Sequence, residues 1–108
     1  VSEAQVQRGC IELLRAEGWR VFETHGHEAH KGHGEAGQPD LVAIKRTPIV
    51  YDAWPRWTQV LFVEVKVPGG RVSAAQKAWH AAAEADNFSV LVVSEVLDLR
   101  RYLKGERA

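Results

Sequence analysis

The hydrophobic pattern begins with a helix. At about 100° per residue, Val6, Cys10, Leu13 and Leu14 fall on one side of the wheel. This predicts a helix over 3–17, with Ser2 as N-cap and Glu3 in the first turn. Glu3 lies in the middle of the apolar side and Glu12 opposite it, so Glu3 is expected as a buried, inward carboxylate. Gly18 suits the C′ position that ends the helix, and Trp19-Arg20-Val21-Phe22 opens a short strand. From His25 to Gln38 the periodicity stops. The stretch HGHEAHKGHGEAGQ reads as a surface loop.

Apolar runs resume at Leu41-Val42-Ala43-Ile44 and over 60–67, joined by a long hairpin connection, 47–59, that contains Pro48, Trp54, Pro55 and Trp57. Leu61-Phe62-Val63 is apolar at consecutive positions, as expected of a strand buried on both faces. Pro68-Gly69-Gly70 is a turn, and Ser73 caps a helix running from Ala74 to Asp86. Its alanines 78, 81, 82, 83 and 85 are expected to allow close helix–sheet packing beside Trp79. SVLVVS (89–94) predicts another buried strand and 95–104 a last short helix. The order α-β-β-β-α-β-α implies an α/β fold, a central mixed sheet flanked by helices.

Length and composition narrow this picture. The 108 residues suit a single domain over 1–108, and 45% hydrophobic residues suffice for a core. Cys10 is the only cysteine, which excludes an internal disulfide framework and Cys-based zinc modules. No apolar run reaches roughly 18 residues, and no basic-then-apolar leader opens the chain, so a cytoplasmic protein without a membrane partner is expected. Fourteen Lys+Arg balance fourteen Asp+Glu. Neutrality argues at first against nucleic acid. It is an average, however: 41–60, 61–80 and 97–108 are net basic, while 1–40 and 81–96 are net acidic. A localised basic surface is therefore open to Lys45, Arg46, Arg71 and Lys77, which are expected on one face.

Polar residues in apolar strands mark the candidate chemistry. Glu64 and Lys66 stand two apart in the strand 60–67 and project to the same face, away from Val63 and Val65. A hairpin between strands 41–46 and 60–67 brings Asp40 beside Glu64. Paired carboxylates suit Mg²⁺ or Mn²⁺, with the Val65 carbonyl and Glu3 as further ligands or supports. Lys66 then orients or deprotonates water, or stabilises developing charge. The competing reading is a buried Glu64–Lys66 ion pair beside a turn; the convergence of Asp40, Glu64, Lys66 and Glu3 favours a site. By position alone Gln76 is an ordinary helix-surface amide, and His80 has no assigned role. Histidines 25, 27, 30 and 33 match no structural zinc spacing well. Trp54 and Trp57 are open between base stacking, a dimer contact and a hairpin-tip cluster.

Taken in order, GQPDL (37–41), FVEVK (62–66) and SAAQKAWH (73–80) resemble the VRR-NUC family of the PD-(D/E)xK nuclease superfamily, from SEAQVQ (2–7) to about Ser94. The resemblance implies a restriction-endonuclease-like αβββαβ core and a Mg²⁺- or Mn²⁺-dependent endonuclease. It implies metal ligation by Asp40 and Glu64, catalysis by Lys66, support from the Gln76 amide, and Glu3 as the first-helix glutamate. Small stand-alone members resemble Holliday junction resolvases, homodimers that cut branched DNA, and that is the preferred expectation. A restriction-like or flap-cutting nuclease, or an inactive DNA-binding scaffold with the same fold, is the alternative.

Overall fold

The computed structural model describes residues 1–24, 36–46 and 58–105. Most of the His/Gly segment, with histidines 25, 27, 30 and 33, and the 47–57 segment with Trp54 and Trp57 lie outside the described residues. Helix α1 (Glu3–Ala16) is followed by strands β1 (Arg20–Glu23), β2 (Leu41–Arg46) and β3 (Thr58–Val65). Helix α2 (Ala74–Ala85), strand β4 (Ser89–Val93) and helix α3 (Val96–Leu103) complete the order. The expected α-β-β-β-α-β-α succession is thus observed.

The sheet order is β1-β2-β3-β4. β1–β2 and β2–β3 are antiparallel, whereas β3–β4 is parallel, with α2 as the crossover that parallel pairing requires. The ends of β1, β3 and β4 and the start of β2 therefore gather at one end of the sheet. The register sets Leu41 against Val63 and Val63 against Leu91. Leu41, Ala43, Leu61, Val63, Val65 and Val93 face α1 and α3, where they pack with Val6, Cys10, Leu14 and Leu99. Burial pushes the Cys10 thiol up to about 11, with the Asp98 charge adding, so it behaves as an apolar core residue.

Both long helices start where the sequence places them. Ser2 and Ser73 each accept from the backbone N–H three residues on, and Gln5 and Gln76 return the bond to the cap N–H. Gly18 ends α1 at φ +90°.

Helix α2 covers the opposite face through Gln76, Trp79, His80 and Ala83, spaced at i, i+3, i+4 and i+7. Trp79 meets Phe62 edge-on at 4.9 Å, and Phe62 meets Phe88 at 5.7 Å. Of the alanines expected against the sheet only Ala83 is buried; Ala78, Ala81, Ala82 and Ala85 lie on the outer side of the helical period. β4 also departs from expectation. It is an edge strand with Val92 42% exposed, because α2 shields only part of that face.

Gly37, at φ +83°, packs the chain before β2 onto the start of α2. A Cβ there would lie 2.2 Å from the Ala75 carbonyl oxygen. Gly37→Ala must therefore displace this segment as well as strain its backbone. It is expected to destabilise the fold by about 1–3 kcal/mol from conformation alone. Denaturant unfolding checks this, and an unchanged midpoint would contradict the close approach.

Candidate active site

The strand end that receives Asp40 is built by local backbone pairing. Pro39 is buried and Asp40 half-buried immediately before β2. The Thr24 N–H donates to the Asp40 carbonyl at 3.0 Å, and the Thr24 hydroxyl donates to the Pro39 carbonyl. These bonds pin the Pro39-Asp40 step to the end of β1. The Val65 N–H donates to Asp40 Oδ2 at 2.8 Å. The side-chain carboxylate thus takes a β3 donor beyond the last β2–β3 residue pair. N–H and C=O of one strand residue leave the same edge of the strand, so the Val65 carbonyl also faces Asp40.

Glu64 lies on the face opposite Val63 and Val65 and is 2% exposed. Its carboxyl is hydrogen-bonded to Asp40 and pushed up to about 8. Burial is the largest cause, followed by the hydrogen bond and charge of Asp40; Lys66 opposes the shift and Glu3 adds to it. Lys66 falls one residue beyond β3 but continues the pairing, its N–H donating to the Val93 carbonyl at 2.9 Å. Asp40, Glu64, Lys66 and the Val65 backbone therefore converge as the spacing implied.

The other candidates divide. Glu3 is near enough for its charge to act on Glu64, but it is exposed rather than buried. Val6, Cys10 and Leu14 fill the core stripe, and Glu3 stands one turn before Val6 at the solvent-facing start of α1. Gln76 spends its amide oxygen on the Ser73 N–H at 2.8 Å, the capping-box bond that starts α2. Its backbone position still faces the sheet.

Arg71 and Lys77 are exposed on the 66–73 connection and the first turn of α2, at the carboxylate end. Lys45 lies at the other end of the sheet. It is five residues along β2 from Asp40, roughly 16 Å at strand rise, with its Nζ 5.8 Å from the centre of the Trp19 ring. Arg46 is the last residue of β2. The four cations are therefore not one face, because β2 carries its end away from the site.

His80 closes the SAAQKAWH motif, but no role for it followed from the sequence. Its Nε2 lies 3.4 Å from Glu64 Oε1, and both side chains are buried. Burial pushes the imidazole pKa down, with Glu84 opposing and Lys66 adding. The available signal was helical: His80 follows Gln76 by four residues and shares its inward stripe.

Two carboxylates and one backbone carbonyl offer oxygen donors at this end, which fits a hard divalent cation, with the His80 imidazole against Glu64. Among the described residues no group of three or more His, Cys, Asp or Glu gathers as a metal cage. Asp40, Glu64 and the Val65 carbonyl would hold such an ion with water or substrate oxygens completing its shell. A dication there would offset the charge of Asp40, which adds to burial in raising Glu64.

A mixed sheet with an acidic pair and a lysine at one end, flanked by helices, is the architecture of a nuclease domain. The VRR-NUC domain model matches residues 2–95, and the chain belongs to that family. A solved structure described as a VRR_NUC domain superposes with a TM-score of 0.71, covering 94% of each chain at 23% identity, and shows the same fold. No curated protein matches the chain. No helix among the described residues is long and apolar enough to cross a membrane.

Glu64 imposes a pH dependence on the metal-free protein. A folded-state value raised from 4.5 to about 8 means that the folded form keeps a proton the unfolded chain has lost. The associated stability is present at acid pH and lost as pH rises through that window. In EDTA, unfolding free energy is expected to fall between about pH 5 and pH 8 by up to about 1.4 kcal/mol per pH unit. Glu64→Gln should flatten the profile. A wild-type profile already as flat as the variant's would contradict a buried, proton-holding Glu64.

Proposed function

We propose that this nuclease domain is a Mg²⁺- or Mn²⁺-dependent endodeoxyribonuclease that cuts branched DNA as a homodimer, with four-way junctions preferred. The observation that carries the reading is the hydrogen-bonded Asp40–Glu64 pair seated against the Val65 backbone, with Lys66 beside it. A bound cation supplies Lewis-acid charge at the scissile phosphate and lowers the pKa of nearby water.

The chain's own groups set the geometry. Asp40 is oriented by the Val65 N–H, which fixes its Oδ2 beside the Glu64 carboxyl. Glu64 presents the second carboxylate from a buried position whose rigidity comes from the central strand β3. The Lys66 ammonium, two residues on, orients water against the phosphate or stabilises charge developing on its oxygens. Gln76 supports this end with its amide nitrogen, which the cap does not use, and Glu3 adds a carboxylate at the rim. Arg71 and Lys77 contact phosphates flanking the cut. Lys45 and Arg46, at the far end of the sheet, serve a more distant DNA arm.

Two-fold symmetry suits the junction reading, since resolution needs two coordinated nicks and each protomer offers one such site. Leu97 and Tyr102 are 43% and 41% exposed on α3 and supply apolar surface for pairing.

Labelled four-way junction, flap, splayed-arm and plain duplex substrates, each with Mg²⁺ and with Mn²⁺, test the assignment. Junction cleavage is expected to exceed that of plain duplex. Lys66→Ala should lower the rate by roughly 10²–10⁴-fold, and Asp40→Asn, which keeps an oxygen for the Val65 N–H, should abolish metal-dependent cutting, with the circular dichroism of both unchanged. Preference for linear duplex or flap would redirect the substrate assignment. Full activity of either variant would overturn the mechanism, and a monomeric mass by light scattering would remove the dimer.

A further inference from the structure

The nuclease reading leaves His80 without a task, yet its placement is specific. It is buried on the inward stripe of α2, and its Nε2 lies 3.4 Å from a carboxylate on a different element, Glu64 on β3. The helix that carries it is anchored at its start by the Ser73–Gln76 capping box and by the Gly37–Ala75 close approach. One position before His80, Trp79 packs edge-on against Phe62. The ring is thus delivered to Glu64 by a helix anchored ahead of it.

We propose that His80 is a positioning residue. By donating from Nε2 to Glu64 Oε1, it fixes the orientation in which the other carboxylate oxygen faces Asp40 and the proposed cation. The assignment rests on the metal-dependent reading above. The terminal torsion of Glu64 is intrinsically broad, and it is held from two sides, by the hydrogen bond to Asp40 and by the His80 contact. Asp40 is restrained by the Val65 N–H, and His80 gives Glu64 the corresponding restraint from the helix side. At 3.4 Å the contact is long for N–H···O. Hydrogen bonds in unloaded sites are commonly long and tighten on loading. Partners of ligating side chains typically change metal affinity or activity by 10–100-fold when removed.

Two amide substitutions separate this role from simple filling of space. In His80→Gln the amide nitrogen reaches the place of Nε2, whereas in His80→Asn it stops near Nδ1. Binding of manganese chloride alone is measured by calorimetry in the absence of DNA, thermal unfolding is measured in EDTA, and kcat and KM are measured on a cleaved substrate. His80→Asn is expected to weaken Mn²⁺ binding about tenfold or more and to lower kcat with KM for DNA unchanged. His80→Gln should stay within about threefold of the wild type, and the two should unfold at similar temperatures in EDTA. Equal Mn²⁺ binding by the two variants overturns the positioning role, whether both match the wild type or both fall. So does a folded His80→Gln that has lost affinity. A wild-type protein that binds no Mn²⁺ overturns the metal reading itself, and His80's role with it. Tight wild-type binding with an unaffected His80→Asn removes the His80 assignment alone.

Discussion

The Asp40 carboxylate occupies a place in the sheet that a backbone carbonyl would otherwise fill. By accepting from the Val65 N–H it extends the β2–β3 pairing past the last residue pair and satisfies a donor beside the buried end of β3. The same bond sets Asp40 beside Glu64. Everything at this end depends on that substitution of side chain for main chain. The proline before Asp40, the Thr24 bonds and the Gly37 contact each act to hold the Pro39-Asp40 step in register.

Burying Glu64 in this setting is costly for an ionised carboxylate, and the fold answers by letting it keep a proton. The arrangement differs from a structural ion pair. Lys66 follows Glu64 by two residues and favours its ionised form, but burial and Asp40 outweigh it. Two carboxylates, an ammonium and a backbone carbonyl are therefore held together where an ionised Glu64 is disfavoured. That property suits phosphodiester chemistry better than it suits stability, and it is the kind of local inconsistency that folds concentrate at functional sites.

The two sides of the sheet divide the labour. α1 and α3 bury the apolar row that runs through Leu41, Val63 and Val65, giving β3 the rigidity on which Glu64 stands. α2 covers the other face less completely, yet it delivers His80 to the acidic pair while Phe88 and Val92 stay largely exposed. The exposed residues Arg71 and Lys77 accompany this second side, so positive surface borders the carboxylates despite a chain of zero net charge.

Much of this was legible along the chain because it is local. Caps at Ser2 and Ser73, the stop at Gly18 and the same-face spacing of Glu64 and Lys66 follow from helical and strand periods, which neighbouring residues dictate. The succession of elements follows in the same way, while Asp40 joins Glu64 and Lys66 through the β2–β3 pairing. Tertiary structure decided what depends on which surfaces meet. Glu3 sits on the apolar side of its wheel but at the open end of its helix, where no sheet covers it. Lys45 and Arg46 were grouped with Arg71 and Lys77 by charge, and the direction of β2 separates them. β4 was apolar enough to be buried and became an edge because no further strand pairs with it among the described residues. His80 ends the SAAQKAWH motif, but the motif gave it no role. Its partner became apparent only when helix α2 was laid across β3, since a contact between residues sixteen apart is set by packing and by neither residue's local pattern.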